Sequence, residues 1–244
     1  MVDVKLNLAA VRRRIADACA RVRRNPDDIR LVAVSKFQPP ELIRQAFEAG
    51  HRDFGENYGQ ELRDKAMTLR DLEGLVWHAT GPLQSNKVKY VARAASAFHA
   101  LDNGRIAEVM GRYRAESPID CYIEVNIANE PTKSGVSPAA IGDLLSAVQP
   151  MKGLRIVGLM CMPPIPLPPA RYDPALSRPY FQRLRSLADE FGLRGLSMGT
   201  TDDFEIAIEE GATIVRVGRS IFGTRHARLK GTPFEHLAAH MDAD

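Results

Sequence analysis

Short apolar segments alternate with amphipathic helical segments along most of this 244-residue chain. Two neighbouring strands that run in the same direction need a long crossover between them, and a helix usually supplies it. The alternation therefore predicts a parallel sheet covered by helices. The eight predicted strands are Leu31–Lys36, His51–Glu56, Leu75–Thr80, Ala97–Asp102, Ile119–Asn126, Leu154–Met160, Gly195–Gly199 and Thr213–Gly218.

Eight strand–helix units in a chain of about 250 residues are typical of a (β/α)8 TIM barrel. An open doubly wound sheet is the alternative, but no Gly-x-Gly-x-x-Gly turn follows the first strand. We therefore predict an α/β protein in which residues 1–244 form a single barrel domain. The barrel occupies residues 30–240 and ends with a helix over 233–240.

An extra helix is predicted over residues 5–24, before the first strand. Its amphipathic pattern predicts that one face is buried and that the opposite, arginine-rich face is solvated. The apolar positions of the pattern are Leu8, Val11, Ile15, Ala18 and Val22.

Bulk composition excludes several classes of protein. The net charge of +3, from 33 basic and 30 acidic residues, is too small to indicate nucleic-acid binding. No apolar run approaches the roughly 18 to 20 residues that cross a bilayer, and the N-terminus lacks a signal-peptide core. The cysteines, Cys19, Cys121 and Cys161, are odd in number and far apart, as is usual in a reducing compartment. We predict a cytoplasmic protein that binds neither nucleic acid nor membrane.

Lys36 closes the first predicted strand, just before Pro39 and Pro40 break the chain. Active sites of TIM barrels lie at the carboxyl ends of the strands. A lysine that is partly desolvated there loses its proton more readily and becomes a nucleophile able to form a Schiff base. The alternative is a lysine that merely extends into solvent at a strand end. This segment alone leaves both interpretations open.

The last two predicted strands end in turns suited to a phosphate group. Ser197-Met198-Gly199-Thr200-Thr201 follows the seventh strand, and Gly218-Arg219-Ser220 follows the eighth. Both combine glycine and hydroxyl side chains with the start of a helix, and TIM barrels often bind phosphate at these places. Closure of a barrel would bring the eighth strand beside the first, and therefore beside Lys36. A Schiff-base lysine next to a phosphate site indicates pyridoxal 5′-phosphate (PLP).

Two further residues are candidates for contacts with the ring of such a cofactor. Arg216 is in phase with Gly218, so its guanidinium would reach the barrel mouth and donate to a pyridine nitrogen, which would stay unprotonated. The alternative is an ion pair with Glu56 or Glu124. Asn57 follows the second strand and would either donate to the phenolate oxygen of the cofactor or cap the next helix.

Other polar residues near the predicted mouth are weaker candidates. Lys133 is a second lysine, but it lies in a loop after the fifth strand, so we prefer Lys36 as the attachment point. His78 is predicted to have a hydrogen-bonded core role. The proline-rich segment 163–169 is either a rim over the site or a plain spacer. His236 and His240 have the spacing of a metal pair but lack a third ligand.

Taken together, these segments resemble the pyridoxal phosphate homeostasis protein family, single-domain relatives of the alanine racemase N-terminal barrel. The similarity covers residues 30–225 approximately. Its segments are Ala33-Val34-Ser35-Lys36, Phe54-Gly55-Glu56-Asn57-Tyr58, Trp77-His78, Gly81-Pro82-Leu83-Gln84-Ser85-Asn86-Lys87, Glu130-Pro131-Thr132-Lys133-Ser134-Gly135, Gly158-Leu159-Met160, Leu196-Ser197-Met198-Gly199 and Val215-Arg216-Val217-Gly218 with Ile221-Phe222-Gly223.

The resemblance implies a site that binds PLP without established turnover and a role in vitamin B6 and amino-acid homeostasis. It implies that Lys36 holds PLP as an internal aldimine and that Arg216 lies near the pyridine nitrogen. The remaining cofactor-binding residues that it implies are Asn57, Met160, Ser197, Gly199, Thr201, Gly218 and Arg219.

The chain departs from the family pattern at three places. Thr200-Thr201 replaces a Met-Ser pair and keeps a hydroxyl, whereas Arg219 replaces a common threonine and adds a positive charge near the phosphate. Ala79-Thr80 replaces an aromatic–aliphatic pair, so packing at the end of the third strand is expected to differ.

A PLP-dependent amino-acid racemase is the alternative function. Racemisation needs a base on each face of the substrate α-carbon, and alanine racemases take the second base, a tyrosine, from a C-terminal domain. This chain ends soon after its eighth strand, and Tyr58 is the only tyrosine near the predicted mouth. We therefore predict a monomeric PLP-binding protein, not an enzyme, with PLP-dependent apo-enzymes as possible recipients. A third option, an aldolase-like enzyme, would need Glu56 as acid or base beside Lys36.

Overall fold

Eight parallel strands close into a barrel in this protein, and they pair in chain order. In the computed structural model, residues 2–164 and 173–224 are described. The first and last strands pair with each other and complete the cycle, so the predicted TIM barrel is confirmed. The strands are β1 (Arg30–Val34), β2 (Asp53–Glu56), β3 (Val76–Ala79), β4 (Ala97–Leu101), β5 (Ile119–Glu124), β6 (Leu154–Met160), β7 (Gly195–Ser197) and β8 (Ile214–Val217).

Helices fill the crossovers between these strands, as the alternating pattern predicts. Short 3-10 turns precede several of them, for example at Pro138–Ala140 and Pro174–Ser177, where proline starts the turn. The helices are α1 (Val4–Arg21), α2 (Pro40–Glu48), α3 (Gly59–Thr68), α4 (Val88–Ala94), α5 (Gly104–Tyr113), α6 (Ile141–Val148), α7 (Arg178–Glu190), α8 (Phe204–Glu209) and α9 (Arg219–Phe222).

All eight predicted strands exist, but most are shorter than the apolar runs that predicted them. Strand β1 ends at Val34, so Lys36 lies in a turn beyond the strand instead of closing it. Gly199 and Gly218 likewise lie beyond the ends of β7 and β8. Hydrophobic periodicity detects buried residues and does not distinguish a strand from the buried turn that follows it. The difference matters because residues in a turn, unlike residues in a strand, are not restricted to the regular backbone conformation of the sheet.

The N-terminal helix α1 packs one apolar face against the barrel. Val4, Leu8, Val11, Ile15 and Ala18 on this face are buried, which confirms most of the predicted pattern. The prediction for Val22 is wrong, because Val22 is the C-cap residue beyond the last turn and is 36% exposed.

The arginine-rich face of α1 is not simply solvated, contrary to the prediction. Arg14 makes two hydrogen bonds to the carboxylate of Glu205, at 2.7 and 3.0 Å. Arg21 pairs with Glu209 at 2.7 Å. Both acidic residues belong to α8, the helix that follows the turn after β7. Charges on α1 therefore fix the position of a helix that borders the candidate phosphate site.

The contribution of contacts between the N-terminal segment and α8 to stability can be measured at Arg24. Its guanidinium donates to the carbonyl oxygens of Ile208 at 2.7 Å and Ala212 at 2.8 Å, at the end of α8. Because Arg24→Ala leaves both carbonyl groups without these donors, we expect the free energy of unfolding to fall by about 1–2 kcal/mol. Urea denaturation measures this change. Arg13→Ala is the matched control, since Arg13 is exposed and its side chain forms no hydrogen bond or ion pair with another described residue. Equal losses in both variants would contradict the assignment.

Parts of the prediction lie outside the described residues. They are the helix over 233–240, with His236 and His240, and most of the proline-rich segment 163–169. Among the described helices, none is long and apolar enough to cross a membrane.

Candidate cofactor site

The turn after β1 and the turn after β8 lie side by side at the carboxyl end of the barrel. The pairing of β1 with β8 runs up to Ala33 and Val217. A Cβ atom added to Gly218 would lie only 2.9 Å from the carbonyl oxygen of Val34. Glycine is therefore required for this close approach of the two chains. The contact brings the turn after β8 next to the turn that carries Lys36.

The turns after β7 and β8 are also joined to each other. The amide of Gly218 donates to the hydroxyl oxygen of Thr201 at 3.4 Å. Gly199 has a φ of +91°, and an added Cβ atom would lie 2.5 Å from the Cβ of Ala207, so backbone conformation and space both demand glycine there. The three turns thus meet at one corner of the barrel mouth, and the two glycines allow this close packing.

The two threonines of the turn after β7 have different tasks. Thr200 bonds through its amide and its hydroxyl to Asp203 Oδ1, at 2.7 and 3.1 Å. These bonds tie the turn after β7 to Asp203, the N-cap residue of α8. Thr201 instead contacts Gly218 of the other turn. Of the two hydroxyl groups, only that of Thr201 lies at the junction of the turns.

Arg219 begins the short helix α9 directly after Gly218. Its guanidinium forms an ion pair with Asp202, and both side chains are about half exposed. The amide groups of the first helical turn have no acceptor within the helix, so those of Arg219 and Ser220 can serve an anion. The positive charge that the sequence adds at Arg219 is balanced in part by Asp202.

Lys36 is the second residue of a tight turn. The amide of Gln38 donates to the carbonyl of Ser35 at 3.0 Å and closes this turn. Phe37, the third residue, has a φ of +60°, a conformation that turns of this kind usually give to glycine. Lys36 is partly buried, and its Nζ lies 6.0 Å from the centroid of the Phe37 ring.

Lys133, the competing lysine, is held in its own loop. Its Nζ bonds to Glu130 Oε2 at 2.6 Å and to the carbonyl of Pro163 at 3.3 Å. Neither contact involves the turns after β1, β7 or β8.

Beneath the Lys36 turn lies a cluster of charged groups that the sequence patterns did not reveal. Lys65 of α3 donates to Glu56 Oε1 and Glu61 Oε1, both at 2.7 Å, and all three side chains are fully buried. Burial, together with repulsion from Glu61, raises the pKa of Glu56 to about 8. Ser35 donates to the same Glu56 oxygen at 2.6 Å. Glu56 is thus engaged with Lys65 and Ser35, so nothing favours it as the acid or base of an aldolase.

Arg216 lies in β8 and is only 5% exposed. It donates to the carbonyl and the hydroxyl oxygen of Ser197, both at 2.7 Å, and to the carbonyl of Cys161 at 3.1 Å. Within the described part of the chain, no carboxylate forms an ion pair with Arg216, so the alternative pairing with Glu56 or Glu124 is wrong. A buried guanidinium held by uncharged acceptors keeps its positive charge available for a ligand.

A line of hydrogen bonds continues from Arg216 through the barrel. The Ser197 hydroxyl lies 2.8 Å from His99 Nδ1, His99 Nε2 lies 3.0 Å from His78 Nδ1, and His78 Nε2 lies 3.0 Å from Asp53 Oδ1. We name this series the interior chain. It begins at Arg216 near the carboxyl ends of the strands and ends at Asp53, the first residue of β2.

All hydrogen bonds of the interior chain can be donated in the same direction, from Arg216 towards Asp53. Arg216 can only donate, so the Ser197 oxygen accepts from it and its hydroxyl donates to His99 Nδ1. His99 then donates from Nε2 to His78, and His78 donates from Nε2 to Asp53. Burial, with the nearby charge of Arg216, lowers the pKa of His99 well below its usual value, which is consistent with a neutral ring.

Ser197 therefore serves to position Arg216. Its hydroxyl is occupied by Arg216 and His99, so its contribution to a ligand site is to orient the guanidinium. This placement differs from the direct phosphate contact that the resemblance implies for the turn beginning at Ser197.

Asn57 lies between the ends of β2 and β3. Its Oδ1 accepts a hydrogen bond from the Thr80 hydroxyl at 3.0 Å, which leaves its amide N–H groups as donors. The capping alternative is wrong, because α3 has Tyr58 at its N-cap and no side-chain cap bond. Thr80, one of the departures from the family pattern, thus orients the side chain of Asn57.

Met160 and Glu124 lie opposite each other at the ends of β6 and β5. Met160 is buried. Burial raises the pKa of Glu124 to about 7, with a further contribution from the charge of Asp102. Its Oε2 atom is buried without a hydrogen-bond partner, so a polar group remains unsatisfied at this side of the mouth. The described residues contain no cluster of ligands suited to a metal ion.

Comparison with known proteins assigns the family. The family model of the alanine racemase N-terminal domain matches residues 6–226. The pyridoxal phosphate homeostasis protein of Escherichia coli K12 is 41% identical over 237 residues, which are 92% of this chain and 98% of that protein. The protein of the same name from Aquifex aeolicus is 40% identical, covering 89% and 96%. The chain belongs to the alanine racemase N-terminal domain family, among the pyridoxal phosphate homeostasis proteins.

Solved structures of a member of this family have the same barrel. PipY of Synechococcus elongatus without PLP has a TM-score of 0.79 and 33% identity. PipY with PLP bound has a TM-score of 0.78 and 31% identity. Each comparison covers 91% of this chain and all of PipY.

Within this family fold, the predicted site residues form two groups. Around the junction of the three turns lie Lys36, Gly199, Thr201, Gly218 and Arg219. Arg216, Ser197, Asn57 and Met160 lie at the ends of the neighbouring strands or inside the barrel.

Sequence reasoning missed Lys65, Glu61 and His99. The signal for His99 is weak but present, since a histidine in the middle of the fully buried strand β4 must find a polar partner. Lys65 and Glu61 lie on one helix face at i, i+4 spacing, a pattern that usually marks an exposed ion pair.

The direction of the interior chain predicts the tautomers of its two histidines. We expect both His78 and His99 to be neutral with the proton on Nε2, as observed by 15N NMR of histidine-labelled protein at pH 7. In Ser197→Ala the Nδ1 resonance of His99 should shift, because its hydrogen-bond donor is lost. His51 is not part of the interior chain, so its 15N resonances should not change. A proton on Nδ1 of either ring would contradict this direction.

Proposed function

We propose that this protein binds PLP covalently through Lys36. The observation that carries the proposal is the meeting of three turns, one with a partly buried lysine and two shaped for an anion. PLP supplies an aldehyde for the lysine, a phosphate for the turns and an electron-withdrawing ring.

The phosphate fits the junction of the turns after β7 and β8. Gly199 and Gly218 let the two turns pack closely against α8 and against the end of β1, which holds the backbone around the junction in place. The Thr201 hydroxyl and the first amide groups of α9 are the proposed donors. Arg219 adds a positive charge nearby, moderated by its ion pair with Asp202.

The ring of the cofactor fits the interior side of the site. Arg216 is buried, charged and free of any ion pair with a described carboxylate, so it is suited to donate to the pyridine nitrogen. Since arginine does not release its proton, the nitrogen stays unprotonated and the ring is a weak electron sink. We assign the Asn57 amide to the phenolate oxygen, and Met160 to packing beside the ring.

The relatives support this assignment. Two of them are named pyridoxal phosphate homeostasis proteins, and PipY has been solved both with and without PLP. We propose the same homeostatic role for this chain: a single barrel domain that holds PLP in the cytoplasm as a monomer. In this role it would buffer PLP or release it to PLP-dependent apo-enzymes, and it would bind no nucleic acid.

We propose that the protein performs no catalytic turnover. A racemase needs a second base opposite the lysine, and Tyr58 is the only tyrosine that the sequence offers near the mouth. The Tyr58 ring packs against Phe37, with 5.2 Å between centroids, so its geometry gives no support to a catalytic role. No contact in the described residues favours the racemase over the binding protein.

The attachment site can be mapped chemically. Titration with PLP should produce the visible absorbance of a PLP–lysine imine, and borohydride reduction should fix the cofactor on the Lys36 peptide, as identified by mass spectrometry. We expect Lys36→Ala to bind PLP at least about tenfold more weakly, or roughly 1.4 kcal/mol. Lys133→Ala is the matched control and should behave like the wild type. Modification mainly on Lys133 in the wild type would contradict the assignment.

The absence of turnover is tested directly. Incubation of the PLP-loaded protein with L- or D-amino acids should give no more racemisation than free PLP, because no contact of the described residues supports Tyr58 as a second base and an unprotonated ring nitrogen makes the cofactor a weak electron sink. Chiral chromatography of the amino acids provides the measurement. Racemisation that depends on the protein and disappears in Lys36→Ala would overturn the binding-protein assignment.

A further inference from the structure

Three charged side chains lie fully buried under the turn that carries Lys36. Lys65 has three donors, and it uses them on Glu56 Oε1, Glu61 Oε1 and the carbonyl of Ser35, each at 2.7 Å. All three charged groups are at most 1% exposed. Burial of charges is costly unless good geometry compensates, so their retention needs a reason beyond stability.

The contacts of this cluster converge on the two neighbours of Lys36. Lys65 and Glu56 hold Ser35 by its carbonyl and its hydroxyl. Glu61 accepts the amide of Phe37 at 2.7 Å. Lys36 thus lies between two residues that are each tied to buried charged groups. We name Lys65, Glu56 and Glu61 the lysine clamp.

The clamp holds a backbone conformation that the chain would otherwise avoid. Phe37 has a φ of +60°, which is rare for a bulky residue. Two interactions compensate, the hydrogen bond of its amide to Glu61 and the burial of its ring against Tyr58. Strained residues that the surroundings hold firmly are common at functional sites.

The clamp buries more carboxyl groups than ammonium groups. Two carboxylates against one ammonium would bury a net negative charge, and Oε2 of each carboxyl group has no hydrogen-bond partner. Burial and repulsion from Glu61 raise the pKa of Glu56 to about 8, a shift that favours the uncharged form of Glu56 and so reduces this imbalance.

We propose that Lys65, Glu56 and Glu61 are positioning residues that fix the Lys36 turn for attack on the cofactor. The proposal rests on the proposed covalent binding of PLP by Lys36. In that step the neutral Lys36 amine would form a C=N bond with the aldehyde carbon as the C=O bond breaks, and the aldehyde oxygen would leave as water with the two hydrogens of the amine. The clamp touches no reacting atom. It acts through Ser35 and Phe37 by holding the Lys36 backbone at the place from which Nζ reaches the aldehyde.

Two ligands separate positioning from general integrity of the site. PLP reports the covalent step, by the rate at which the imine absorbance appears after rapid mixing. Pyridoxine 5′-phosphate has the same ring and phosphate but an alcohol in place of the aldehyde, so its affinity reports the rest of the site. Lys65→Met removes all three donations of the clamp. Asp64→Asn is the matched control, since it removes a neighbouring carboxylate of α3 that pairs with Arg63 and not with the clamp.

A positioning role predicts that Lys65→Met slows covalent attachment by about tenfold to a hundredfold, while the affinity for pyridoxine 5′-phosphate stays within about threefold. Asp64→Asn should match the wild type for both ligands. Attachment at the wild-type rate in Lys65→Met, or an equal loss for both ligands, would overturn the proposal.

If Lys65→Met does not fold, Glu61→Leu decides by the same two measurements. It removes the acceptor of the Phe37 amide, so covalent attachment should slow by about tenfold or more while the affinity for pyridoxine 5′-phosphate stays within about threefold; attachment at the wild-type rate would overturn the proposal. A wild type that binds pyridoxine 5′-phosphate but forms no adduct on Lys36 would instead contradict the proposed covalent function.

Discussion

Closure of the barrel between β1 and β8 is the constraint on which the candidate site depends. The residues of these two strands are far apart in sequence, yet their pairing places Gly218 against the carbonyl of Val34. That contact brings the turn after β8 to the turn that carries Lys36. The bond from Gly218 to Thr201 then adds the turn after β7. Without closure, Lys36 and the two turns proposed to bind the phosphate would lie in separate parts of the structure.

The interior of this barrel is unusually polar for its fold. TIM barrels commonly fill the interior with layers of branched apolar side chains. Here Arg216, Ser197, His99 and His78 form a hydrogen-bonded line that ends at Asp53. Each buried polar group in the line has a partner, as buried polar groups require. The result is a buried arginine whose position is fixed by its hydrogen bonds to Ser197 and Cys161.

Helix α3, with Lys65 and Glu61, and the end of β2, with Glu56, supply a second buried polar element, the lysine clamp. Its hydrogen bonds end on the backbone of Ser35 and Phe37, so it fixes a turn and does not merely fill space. The interior chain and the clamp share a principle. In each, groups that are remote from the ligand fix the orientation of one residue that would contact it, Arg216 in the first case and Lys36 in the second.

The sequence by itself determined the strand–helix alternation, and therefore the barrel. Local apolar patterns are sufficient for this, because they indicate which segments are buried and how long the crossovers between them are. It also identified Lys36 and the glycine-containing turns as candidates for the site, since the ends of apolar runs and glycines can be recognised locally in the sequence. Only the tertiary structure decided that Arg216 bonds to Ser197 and Cys161 instead of a carboxylate, and that Lys65 and His99 support the site. The physical reason is that a buried polar group needs some partner, but which partner it finds depends on the three-dimensional packing of distant segments. Local periodicity contains no information about that choice.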